Sequence, residues 1–257
     1  MMNYIKSECY HITHSKPLYV MASVLAGIVL LINIVLAICQ RIIPDFRYGT
    51  FRFSLNSFTS VIFLMLILGA IIAGTLCSDD FKNGVVENAI SYGISRPAIL
   101  LGKCTVCLAV SLVLLAAVFT VYVSSAYFLL KTPEWLPLRE MLSGIGASLP
   151  SAVASMILMI ILGFLCQKQL NAVLWWVFIY YLLPMLCMII GLKVDFVKRI
   201  SEWMPYYFLR TEAIISFSDY QCLWDTPSGL AKCIIAGVIG IVIFLLFGIW
   251  RVQKEEF

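Results

Sequence analysis

The chain has 257 residues, of which 62% are hydrophobic and 12% charged, against roughly 45–50% and about 25% in a soluble domain. That composition excludes a water-soluble globular protein. Lys and Arg number 18 and Asp and Glu 14, leaving a formal charge of +4 scattered along the chain, too little for the concentrated basic face that nucleic-acid binding requires.

In chain order, a polar start (residues 1–17, with Lys6-Ser7-Glu8, His11, His14 and Lys16-Pro17) precedes six apolar stretches: Leu18–Cys39, Ser57–Cys77, Cys104–Leu130, Met141–Cys166, Leu170–Leu192 and Cys233–Trp250. Each is long enough to cross a hydrocarbon core as a helix of about 17–25 residues. Together they take up more than half of the chain, so no separate soluble domain fits. Continuous apolarity favours helices over barrel strands, which are about ten residues long and alternate in polarity. The predicted fold is therefore an all-α integral membrane protein, a six-transmembrane-helix bundle. The first stretch exceeds the roughly 7–15 residues of a secretory signal core and is expected to be retained. Leu36-Ala37-Ile38-Cys39 places Ile38 where a lipoprotein cleavage site needs a small residue. Gln167-Lys168-Gln169 predicts a tight hairpin between the fourth and fifth spans. Pro150 and Pro184 are expected to kink their helices, and Gly144, Gly146 and Gly163 to permit close helix contact.

Six crossings put both termini on one side, yet Lys and Arg do not say which: eight lie on the terminal side and ten on the other, a poor match to the positive-inside rule. All charged residues fall in termini or loops on this division. Ion-driven carriers place titratable groups at membrane depth, and intramembrane aspartyl or zinc proteases need paired carboxylates or His-Glu-x-x-His there. The only histidines, His11 and His14, precede the first span at the spacing of an interfacial helix face, with no ligand set to complete a metal site. Neither Gly-x-Ser-x-Gly nor a phosphate-binding Gly-x-x-x-x-Gly-Lys-Ser/Thr occurs. The chain reads as non-catalytic, with no metal. Most of the nine cysteines sit in or at the ends of spans, where the thiol acts as a small apolar group; Cys104 and Cys107 have redox spacing without a thioredoxin-like context.

Between the second and third spans, residues 78–103 read as two helix ends joined by a short helix. Val85, Val86, Ala89 and Ile90 form one narrow apolar face, Gly93 follows as a helix stop, and Ser95-Arg96-Pro97 makes a helix start. Such a helix either rests in the headgroup layer or docks into a partner. Its acidic-aromatic start, Asn83-Gly84 turn, Asn88-Ala89-Ile90-Ser91-Tyr92-Gly93-Ile94-Ser95-Arg96 run and Gly102-Lys103 pair resemble the loop of type-2 ATP-binding-cassette (ABC) exporter permeases, in particular those of bacitracin-resistance and lantibiotic-immunity transporters. The resemblance implies that residues 1–17 form an interfacial elbow helix and that the 78–103 loop and both termini are cytoplasmic. It also implies that the loop's short helix is a coupling helix seated in a separate ATPase. In that role Val85, Val86, Ala89 and Ile90 pack into the ATPase, Glu87 and Arg96 make charged contacts at its rim, and Gly93 turns the chain back.

Residues 193–232, expected to be extracellular, carry an amphipathic stripe at Phe196, Val197, Ile200, Trp203, Met204, Tyr207 and Phe208, with Pro205 dividing it into two short helices. It is either an interfacial helix pair or a lid on an exit path, and the resemblance implies short re-entrant helices. Thr226-Pro227 is a good start for the last span. Trp175, Tyr180, Trp203 and Tyr207 are candidates for a substrate path, beside packing or interfacial roles. Asn33, Ser60, Thr75, Ser111, Thr120, Ser124, Ser125, Ser155 and Asn171 offer uncharged hydrogen bonds for helix packing.

The expectation is a single transmembrane permease domain, 1–257, in the bacterial cytoplasmic membrane. By resemblance it works with two ABC ATPase copies and a second permease, identical or sibling, to export an antimicrobial peptide or lipophilic compound. This chain would bind no cofactor; ATP and Mg would sit on the ATPase. The alternative is a non-transporting membrane anchor or assembly factor.

Overall fold

The computed structural model describes residues 2–43, 46–82, 91–93, 95–166, 168–209, 212–213 and 220–254. Helix α1 (Met2–Thr13) is followed after a two-residue turn by α2 (Lys16–Ile42), with Pro17 in its first turn, where the missing N–H costs nothing. The others are α3 (Phe51–Ser60), α4 (Leu64–Lys82), α5 (Arg96–Leu129), α6 (Trp135–Leu165), α7 (Gln169–Gly191), α8 (Asp195–Ser201), α9 (Pro205–Phe208) and α10 (Pro227–Lys254). A two-residue antiparallel ribbon pairs Glu212–Ala213 with Tyr220–Gln221.

Helices α2, α5, α6, α7 and α10 are long and apolar enough to cross a membrane. The predicted second span, Ser57–Cys77, is not one straight helix: α3 and the apolar part of α4 meet at 70°. The cause is local. Ser57, Thr59 and Ser60 turn their hydroxyls back onto the carbonyls of Phe53, Leu55 and Ser57, which bends helices. The backbone then tightens to three-residue turns, with the amides of Val61, Leu64, Met65 and Leu66 bonding the carbonyls of Phe58, Val61, Ile62 and Phe63. The helices also outrun the apolar stretches, so that Arg52, Lys103, Arg139, Glu140 and Lys232 all lie in helical residues, against the expectation that charges stay in loops.

Helix α6 is the centre. Of its most apolar 18 residues 67% are buried, against 6% in α2. Of the expected glycines, Gly144 meets Trp224 and Ile62 at ordinary contact distance, while tighter approaches fall at other glycines. A Cβ at Gly69 of α4 would come 2.9 Å from the Ala152 carbonyl oxygen, and one at Gly237 of α10 would come 2.5 Å from Pro150 Cβ; both helices can lie along α6 only without those atoms. At Gly146 nothing approaches within 4 Å. Ser155 of α6 donates to the Leu66 carbonyl at 2.7 Å and accepts from Trp176 Nε1 at 3.0 Å, tying α4, α6 and α7 together.

Neither proline breaks its helix. Pro150 lies inside the unbroken α6. In α7, Pro184 has no N–H for the Tyr180 carbonyl, and the helix widens to a π turn over Phe178–Leu182, with the Leu183 amide bonding the Phe178 carbonyl.

The ends of the helices sort into two groups. Gly248, near the end of α10, packs against Ile161 of α6 and Leu100 of α5, and α1 packs against the first turns of α5. At the other end, Lys131 after α5 exchanges backbone hydrogen bonds with Gly49 and Phe51, and Trp224 lies against Gly144 of α6. The start of α1, the end of α10 and the start of α5 therefore share one end of the bundle.

Candidate functional site

Two regions bear on function. The first is the end of the bundle where α5 begins. Of the predicted coupling residues, Val85, Val86, Glu87, Ala89 and Ile90 lie outside the described residues. Gly93 has φ +81°, the left-handed conformation expected of a residue that reverses the chain. Ser95 stands at the N-cap position with extended backbone, its side chain making no cap bond; Arg96 is the first residue of α5, and Pro97 follows in the first turn.

Nearly two turns further along α5, Gly102 and Lys103 hold α1. A Cβ at Gly102 would fall 2.8 Å from the Tyr4 ring, so the missing side chain is what lets α1 lie down on α5. Lys103 Nζ is 3.1 Å from Glu8 Oε1, with relative exposures of 1% and 5%. The Tyr4 hydroxyl donates to the same oxygen at 2.6 Å. Glu8 Oε2 is buried without a hydrogen bond. Sequence reasoning noted Glu8 in the polar start and the Gly102-Lys103 pair but did not join them, because nothing in the sequence links positions so far apart.

The second region is a cleft of about 320 Å³ among α6, α7, α10 and the turn between α8 and α9. As expected, Pro205 divides the amphipathic stripe into two short helices, and Thr226 caps α10, its hydroxyl accepting from the Gly229 amide at 3.1 Å. Of the four aromatic candidates, Tyr180 and Trp203 line the cleft and Trp175 and Tyr207 do not. Tyr180 is buried, stacked on Trp176 with centroids 5.3 Å apart and 6.0 Å from Phe244. Trp175 is exposed and packs edge-on against Phe178, and Tyr207 is also exposed. The π turn containing Tyr180 sits in the cleft wall, a placement π segments often have at functional sites. Lys232, outside the lining itself, places Nζ 5.5 Å from the centroid of the Trp203 ring that lines the cleft, within cation–π range. Ser151, also lining the cleft, is buried with its hydroxyl unpartnered.

No protein-family model matches the chain, and no curated protein matches it. Its chemistry is therefore read from its own residues.

A third cluster is structural. Asn33 of α2 is fully buried and donates to the Tyr122 carbonyl and Ser125 Oγ of α5 at 3.1 and 2.7 Å. Ser54 of α3 donates to Asn33 Oδ1 at 2.7 Å, and the Tyr122 hydroxyl donates to the Ser54 carbonyl at 2.6 Å. Three helices are joined through groups that would be costly to bury alone. Among the described residues no three of His, Cys, Asp and Glu come together as a metal site.

Proposed function

We propose that the chain is the membrane-spanning subunit of an ATP-driven ABC exporter, paired with a second permease and two ATPase subunits. With the bent α3–α4 pair counted as one crossing there are six spans, and both termini lie on the cytoplasmic side of a bacterial plasma membrane. The observation that carries the reading is the sequence of residues 78–103, joining two bundle helices with an amphipathic face, a glycine stop and a proline-marked restart. It is supported by the end of the bundle at which that segment returns, which also holds α1 and the end of α10. Helix α1 is then the interfacial elbow, and Glu8 and Lys103 couple it to the helix that the ATPase moves. ATP-driven closure of the ATPases would draw the coupling helices together and tilt the bundle as a rigid body. An amphipathic antimicrobial peptide or lipophilic compound would leave by the cleft beside Tyr180 and Trp203.

The test is affinity purification of the chain from its native membrane in mild detergent, with mass-spectrometric identification of stoichiometric partners, repeated with polar substitutions at Val85, Val86, Ala89 and Ile90. An ABC ATPase should come with the native chain and be lost from the substituted one. Recovery of the chain alone from both would remove the exporter reading and leave the membrane-anchor alternative.

A further inference from the structure

The cleft beside Tyr180 has a polar end and an apolar body. Its walls are built from Ala236 to Phe244 of α10, facing α6 and α7, and by the 1.5 Å rise of a helix these lie roughly 6–18 Å along α10 from Lys232. Ile239 and Ile243, in that wall, are half exposed on the outer face of an apolar helix long enough to cross a membrane, so the cleft has an apolar side opening. Its volume of about 320 Å³ is near the lower bound for small-ligand pockets. Lys232 is half-buried, its amine lies over the Trp203 ring, and among the described residues no carboxylate is in ion-pair range. A lysine whose stem packs on an aromatic ring keeps its ammonium free to donate charge-assisted hydrogen bonds to a phosphate.

We propose that this cleft binds an anionic amphiphile of the phospholipid type, one hydrocarbon chain lying along α10 between Ala236 and Phe244 and its phosphate against Lys232. Trp203 sits at the junction, its ring covering the chain on one side and meeting the ammonium on the other. The unpartnered Ser151 hydroxyl leaves the floor one hydrogen bond for an ester oxygen. The same cleft lies on the exit path proposed above, and the inference rests on that reading for its role in transport; binding itself requires no ATPase. A cationic peptide would meet Lys232 as a like charge, so the proposal narrows the substrate class to anionic lipids.

The full-length chain, purified in detergent, would be titrated with palmitoyl-oleoyl phosphatidylglycerol and with phosphatidylcholine of the same chains, and bound lipid counted by native mass spectrometry. Phosphatidylglycerol should bind about tenfold tighter, the factor that 1.4 kcal/mol carries. Lys232→Gln should abolish that preference, and Gly240→Leu, which fills the cleft, should remove both lipids. Lys254→Gln is the control, because Lys254 lies over Trp250 at 4.3 Å at the far end of the same helix, and it should leave the preference intact. An unchanged preference in Lys232→Gln, or unchanged binding in Gly240→Leu, overturns the proposal. Either result stands apart from recovery of an ATPase, which tests the exporter reading on its own.

Discussion

Lys103 Nζ lies 3.1 Å from Glu8 Oε1, and both side chains are out of reach of solvent. The two residues are 95 positions apart and join α1 to the first turns of α5. Removing one member of a buried pair strands the other, at a cost of about 3–5 kcal/mol, whereas replacing both by apolar groups is close to neutral. Lys103→Met should therefore lower the thermal midpoint in detergent sharply. The double variant Glu8→Leu/Lys103→Met should regain most of the loss, and a double variant no more stable than the single one would refute the account.

Asn33 is the hub of the buried network between α2, α3 and α5. Asn33→Leu keeps the volume but leaves Ser54 and Ser125 short of a partner, for a loss of about 1–3 kcal/mol. Thermal unfolding of the purified variant measures it. The same change at exposed polar positions of α5, such as Thr120, should have little effect, because its hydroxyl bonds only its own helix.

Burial raises the Cys222 thiol from 9.0 to about 12, with the nearby Asp225 and Glu140 carboxylates adding to the shift. At pH 8 its thiolate is then about one part in ten thousand, against about one in ten for an ordinary thiol, and alkylation follows the thiolate. Iodoacetamide should modify exposed Cys9 far faster than Cys222, whose rate should keep climbing above pH 10. Because the folded state holds the proton more tightly, the stability this group supplies is complete below pH 9 and is lost as pH rises toward 12. Comparable alkylation rates at pH 8 would rule out the buried environment.

Glu87 belongs to the proposed rim contact with the ATPase. Glu87→Lys should leave membrane insertion unchanged and weaken ATPase recovery about two- to fivefold, the range given by an exposed ion pair of about 0.5–1 kcal/mol. Full recovery in this variant would remove Glu87 from the contact.

Where α10 crosses α6, Gly237 leaves no room for a side chain. Gly237→Val should separate the two helices and cost about 1–3 kcal/mol, read as a lower thermal midpoint. Gly146→Ala, at a position with open space, should cost far less.

Much of this arrangement was legible in the chain. Apolar length marks the long helices, Pro205 and Thr226 act locally, and Gly93 takes up the left-handed backbone conformation that glycine favours. What stayed hidden depends on partners distant in sequence. Nothing between Val61 and Phe63 is glycine or proline, so the 70° bend shows only once the hydroxyls of Ser57, Thr59 and Ser60 are seen to fold back on the backbone. Lys103 looked like the edge of an apolar run because Glu8 is 95 residues away. Aromatic character alone could not separate Tyr180 from Trp175, since the π turn shifts the register of α7 between them. Lys232 gained meaning only from the Trp203 ring above it.

The central position of α6 has a consequence for biogenesis. Its face around Ala152 meets α4, made earlier, while its face around Pro150 and Ile161 is covered by Gly237 and Gly248 of α10, made later. During synthesis the most deeply packed helix must wait in the bilayer half-dressed. Until α10 is made, the seam around Pro150 and Ile161 has no glycine-lined partner to cover it.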